Sequence, residues 1–202
     1  MKKCPAIALI ELTEIATGIL AADAMIKASP ISVLKSGTVH NGKFLILIGG
    51  SVASVEEAYR KGLSIGGDQI FDSVLLPDIH PQVYDAMLGK RSPCPDTSLG
   101  IIESASVAAV IQAADAAIKR ARVTIVELRL ADDIGGKGLV LYNGKIEDVE
   151  EALAVSRKTA ADRNQTVRES LIPHLHAEMI RQLAKSSVFS KNNLETLEGG
   201  EL

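Results

Sequence analysis

The 202-residue chain reads as an α/β protein of the α+β kind, two tandem ferredoxin-like split βαβ units. Three observations predict this. Residues 11–29 set on 103–121 give nine identities in 19 positions, from Glu11/Glu103 through Asp23/Asp115 to Lys27/Lys119. With two residues inserted in the second copy, 43–58 fall on 137–152 with eight identities in 16, where unrelated sequence would match about once. Each copy also runs through the same succession of strand-like and helix-like patterns, in the order β-α-β-β-α-β. A fainter match pairs Pro77 with Pro173 and His80 with His176. Units of this size can each hold a core. We place the first at 1–92 and the second at 93–187, with a polar tail at 188–202.

The elements follow in order. A short apolar strand opens each unit, AIALIEL at 6–12 and LGIIE at 99–103. A helix comes next, with Ile15, Ile19, Ala22 and Ile26 spaced as the stripe of one buried face. ISVLKSGT and the β-branched VTIVELRL predict the third element as a strand. A glycine loop leads to FLILI or GLVLY. The second helix is expected at a capping box, Ser54 with Glu57 and Asp148 with Glu151. IFDSVLL and TVRESLI close the two sheets, each followed by a short helix after a proline. GKRSPCPD, with two Pro and a Gly among polar residues, reads as the linker. KSSVFSKNNLETLEGGEL reads as a frayed terminus.

Composition narrows function. Apolar residues make up 47% and charged residues 23%, so neither half looks disordered. A net charge of -3, no Trp and three each of Tyr and Phe argue against nucleic acid, which asks for a basic face and stacking rings. The apolar start is ended by Glu11 and Glu14, which excludes a signal peptide or membrane span and points to the cytoplasm. Cys4 and Cys94 belong to no CxxC pair and read as reduced thiols. No Ser-His-Asp order, P-loop, HExxH or dinucleotide fingerprint occurs, and IGGKG at 134–138 lacks the flanking residues of a phosphate loop. No catalytic residue is assigned. Glu11, Glu103, Asp23 and Asp115 read as helix-dipole or packing carboxylates rather than acid–base pairs.

IELTEIATGILAADAMIKAS at 10–29, GKFLILIGGSVASVEEA at 42–58 and IPHLH at 172–176 resemble the bacterial microcompartment (BMC) shell-protein domain. Two such domains, each starting at its first strand, resemble the tandem trimeric shell proteins of the unpermuted PduT-like type, over residues 6–183. The resemblance implies a homotrimer whose six domains imitate a hexameric shell tile, assembling with other shell proteins in the cytoplasm. It also implies a pore for small metabolites, or a pore-bound metal or redox centre. The pore loop would comprise Val39, His40, Asn41 and Gly42 from one domain and Ile134, Gly135 and Gly136 from the other. The PduT-like proteins carry a Cys where this chain has His40, and three copies hold an iron–sulfur cluster. Without that thiolate no cluster is expected here, and His40 stands as a candidate metal ligand or as an exposed turn histidine. Lys27 and Lys119 read from the residues as solvated lysines at a helix end; the resemblance puts them at the tile edge. His80, His174 and His176 join them there, in PDIH and PHLH, where family members often carry an Arg in PRPH. The rival reading is a trimeric ligand-binding regulator of PII-like type, which would need a mobile ligand loop and an intersubunit cleft.

Overall fold

AIALIEL, the first strand, is buried at all 7 positions, because both faces of its sheet are covered. This computed structural model describes residues 6–194. Cys4 and tail residues 195–202 lie outside the described residues. The first domain comprises β1 (Ala6–Leu12), α1 (Ile15–Ala28), β2 (Val33–Thr38), β3 (Phe44–Gly50), α2 (Val52–Gly66), β4 (Ile70–Leu76) and α3 (Pro81–Met87). The second repeats it as β5 (Ser98–Ser104), α4 (Val107–Ile118), β6 (Thr124–Leu130), β7 (Gly138–Gly144), α5 (Ile146–Ala161), β8 (Arg168–Ile172) and α6 (Ala177–Lys185).

Each sheet is antiparallel, in the order β2-β3-β1-β4 and β6-β7-β5-β8, which is the split βαβ topology. Alternation along β1 sends Ala8, Ile10 and Leu12 to the α1 and α2 side, where Ala21, Met25, Val55 and Ala58 meet them. Ile7 and Leu9 face the other way, in a cluster with α3 that continues into the second domain through Val107, Ile111 and Ala114. The core therefore passes from one domain to the other.

Two local expectations are corrected. The buried line of α1 is Gly18, Ala21, Ala22 and Met25, whereas Ile15, Ile19 and Ile26 are 42%, 57% and 48% exposed. Small residues face inward because α1 lies close on its sheet. A Cβ on Gly18 would stand 2.5 Å from the Phe44 ring. The capping boxes are displaced as well. α2 starts at Ser51, whose Oγ accepts from the Ser54 amide at 3.2 Å, so Ser54 lies inside the first turn. α5 starts after Lys145 without a side-chain cap, and Asp148 sits in its first turn as a dipole partner.

The linker segment is pinned to the second domain. The Ser92 amide donates to the Val126 carbonyl at 3.1 Å, the Asp96 amide to Asn143 Oδ1 at 3.0 Å, and Arg91 pairs with Glu127. Cys94 is a buried free thiol. Among the described tail residues, Asn192 Nδ2 donates to the Ser186 carbonyl at 2.8 Å.

Candidate functional site

Two features stand out: the seam between the domains, and the meeting of their β2–β3 and β6–β7 loops at one end of it. The seam joins the β1/β4 edge of the first domain to the start of α4 and the end of α5. Glu11, fully buried, accepts from the Ala108 amide at 2.7 Å and from Ser106 Oγ at 3.1 Å. These donors belong to the start of α4, so Glu11 serves the dipole of the other domain's helix rather than its own. Lys43, also buried, reaches Glu11 at 3.1 Å and donates to the carbonyls of Ala105 at 2.6 Å and Gly136 at 3.1 Å. Its ammonium lies 3.8 Å from the centroid of the Phe71 ring. Desolvation holds Glu11's pKa above its ordinary value, against Lys43 and the Ala108 and Ser106 donors, which pull it down.

Further along, Asp72 receives Ser106 Oγ and, at 2.6 Å, Arg163 Nη2; Arg163 also bonds Gln112 and the Ser73 carbonyl. Buried Asp115 accepts from the His80 amide at 2.8 Å and from Lys119 at 2.7 Å, and Lys119 reaches the Asp78 carbonyl. The repeated Asp–Lys pair of α4 thus ties helix to neighbouring domain. In α1 the same pair, Asp23 and Lys27 at 2.6 Å, is exposed.

The loops come next. After β2 the chain makes a tight turn at His40–Gly42, with φ of 65° at Asn41 and 71° at Gly42. After β6, Ala131, Asp133, Gly135 and Gly136 all have positive φ. The turns touch. His40 Nδ1 accepts from the Asp133 amide at 3.1 Å, and a Cβ on Gly136 would lie 2.7 Å from the His40 carbonyl oxygen. Only glycine fits there. The structure therefore brings Val39, His40, Asn41 and Gly42 beside Ile134, Gly135 and Gly136 at one end of the seam.

His80 and His176 cap α3 and α6, each accepting at Nδ1 from the amide two residues on, at 3.2 Å. His174 is exposed. Sequence reading missed Lys43, Asp72, Ser106 and Arg163. Lys43 left a trace as the first identity of the second repeat block.

The loop's donors are imidazole and backbone groups rather than the thiolates that hold iron–sulfur clusters. His40 has committed Nδ1 to the Asp133 amide, the loop offers no thiolate, and Cys94 is buried among Leu99, Val126, Leu141 and Leu175. Among the described residues no three His, Cys, Asp or Glu side chains converge as a metal site.

Two split βαβ units joined edge to helix, with their hairpin loops meeting at one end, make this a tandem-domain protein of the split βαβ class. The BMC-domain profile matches the chain twice, over residues 6–79 and 98–175, and the chain belongs to that family. It is 41% identical over 180 residues to the bacterial microcompartment shell protein PduT of Citrobacter freundii, spanning 89% of this chain and 98% of that one. A crystal structure of a microcompartment protein from Desulfitobacterium hafniense superposes with a TM-score of 0.75 at 38% identity, over 87% of this chain and 98% of that one. The fused permuted hexameric shell protein of the RMM microcompartment shares the fold, with a TM-score of 0.58 at 24% identity over 79% and 85%. The chain is thus a structural shell protein of a bacterial microcompartment. The regulator alternative finds no support in these relatives. No helix among the described residues is long and apolar enough to cross a membrane.

Proposed function

We propose that three copies close into a ring of six BMC domains, a pseudohexameric shell tile with a central opening for small metabolites and no catalytic role. One observation carries this. Val107 and Ile111 of α4 are fully buried in the cluster that joins the two domains, while their repeat counterparts on α1, Ile15 and Ile19, lie open. The receiving surface is open too: Lys137 and Glu103 pair at 2.8 Å with side chains 49% and 36% exposed, where Lys43 and Glu11 are 6% and 0%. Each chain thus makes the seam once and leaves both halves of a second one unmatched. Such a head-to-tail contact propagates until its rotation closes a ring. The Val39–Gly42 and Ile134–Gly136 loops, adjacent within the chain, would then alternate round the axis and line the opening.

Light scattering at micromolar concentration should return the mass of three chains. A mass of one chain would overturn the ring. We also assign Lys27, Lys119, His80, His174 and His176 to the tile edge, where neighbouring tiles and other shell proteins would pack. Lys27→Ala should cost the single chain about 0.5 kcal/mol or less, because the side chain is 74% exposed there, yet reduce two-dimensional sheet formation in electron micrographs. Sheets indistinguishable from wild type would remove Lys27 from the edge.

A further inference from the structure

The seam made inside the chain and the seam left open have opposite charge polarity. In the first domain Asp72 stands opposite Glu11 in the β1–β4 register. In the second, the position opposite Glu103 in the β5–β8 register is Arg168. The edge is therefore acidic in one domain and basic in the other. The helix faces are reversed to match. The α4 side brings Ser106 and the Arg163 guanidinium to the edge, with Ser106 Oγ placed between Glu11 and Asp72. By the 92-residue offset of the repeat, Ser106 corresponds to Glu14, at the start of α1. The turn after α2 that stands in for the Arg163 segment, Gly67–Gln69, carries Asp68 and no cation.

The open surfaces bear this out residue by residue. Glu14 is exposed, and its carboxylate accepts only from Thr17 Oγ1, at 2.9 Å, among the described residues. Arg168 is exposed, and among the described residues its side chain has no hydrogen-bond or ion-pair partner. The neighbouring acid, Glu169, is already taken by Arg157. A carboxylate placed where Ser106 stands would be repelled by Asp72. Placed beside Arg168, it is paired.

We infer that the outer seam is locked by an ion pair between Arg168 of one copy and Glu14 of the next, and that its reversed polarity dictates which domain meets which. An inner-type edge offered to α1 would set Asp72 against Glu14. An outer-type edge offered to α4 would set Arg168 against Arg163. Both like-domain contacts are penalised, so a second-domain edge accepts only a first-domain helix face, and the domains must alternate round the ring. Lys137 completes the match. Lys43 spends two donors on the Ala105 and Gly136 carbonyls, whose counterparts in the next copy are those of Thr13 and Gly42.

This inference rests on the trimer reading, and a charge swap separates the two. Sedimentation velocity over a dilution series of the full chain would compare wild type, Arg168→Glu, Glu14→Lys and the double variant, with far-UV circular dichroism reporting the fold. Each single variant should raise the trimer dissociation constant at least about tenfold, as for a desolvated interfacial pair left unmatched. The double variant should return to within about threefold of wild type, and salt should weaken wild type in the same direction as the single variants. If Arg168→Glu fails to fold, Arg168→Gln removes the charge more gently and should still weaken the trimer severalfold. A trimeric wild type whose dissociation constant neither single variant changes, or a double variant as weak as the singles, overturns the ion pair and leaves the trimer standing. A wild type that sediments as one chain overturns both.

Discussion

Lys43→Met should cost about 3–5 kcal/mol at neutral pH, because it leaves the Glu11 carboxylate fully buried with no cation beside it. The carbonyls of Ala105 and Gly136 lose their donor as well, and both lie on the second domain. The damage is therefore to the seam rather than to one sheet. Glu11→Gln leaves the buried Lys43 ammonium without its counterion and should also destabilise, but without the pH dependence of Lys43→Met. Burial already holds the Glu11 pKa above its usual value near 4.5, so its charge is poorly tolerated, and Gln keeps an acceptor for the Ala108 amide. The sign of the pH dependence follows. An acid whose folded pKa is raised contributes stability that is fully present below its unfolded value and is lost as pH rises through the folded one. Removing Lys43 takes away the largest influence that lowers Glu11, so the folded value climbs further. Lys43→Met should thus be closest to wild type in acid, with its deficit growing toward neutral pH; urea unfolding from pH 4 to 7.5 would show it. A deficit that does not vary with pH would mean that Glu11 is not the group left stranded.

The duplication made the two units and their split βαβ topology readable in the sequence, because a repeat that preserves periodicity preserves topology. The faces of α1 were not readable. Ile15, Ile19 and Ile26 have the spacing of a buried stripe, and the counterparts of the first two, Val107 and Ile111 on α4, are buried in a cluster shared with the other domain. Periodicity reports that a face is apolar, and not which partner covers it. The hairpin loops were found from the resemblance, since the residues themselves show only two glycine turns. The seam ions stayed hidden for a different reason. Asp72 and Ser106 are 34 residues apart and belong to different repeats, so no local spacing joins them. What the sequence did hold was the contrast between copies. Ser106 against Glu14 and Asp72 against Arg168 are differences in charge between the copies, and the structure places both on one surface.

Gly136→Ala should destabilise the chain by about 2–4 kcal/mol, and Gly42→Ala by only about 1–2 kcal/mol before assembly is counted. Both residues have left-handed backbone, with φ of 76° and 71°, so both substitutions carry the same strain for an L-residue. They differ in what surrounds them. A Cβ at Gly136 meets the His40 carbonyl oxygen at 2.7 Å and the Asn41 Cβ at 3.0 Å, close contacts that no side-chain rotation relieves. Pushing the loops apart also pulls the Gly136 carbonyl from Lys43, coupling the turn to the buried pair. A Cβ at Gly42 meets nothing within 4 Å in the chain itself. In the proposed ring, however, Gly42 occupies against the next copy the place that Gly136 occupies here, and its Cβ would strike the backbone at Ile134. Gly42→Ala should therefore weaken the trimer out of proportion to its effect on the single chain. Denaturant unfolding at several chain concentrations separates the terms, since the assembly contribution scales with concentration and backbone strain does not. Gly42→Ala that holds its trimer as tightly as wild type would show that the two hairpin loops do not alternate round a common axis.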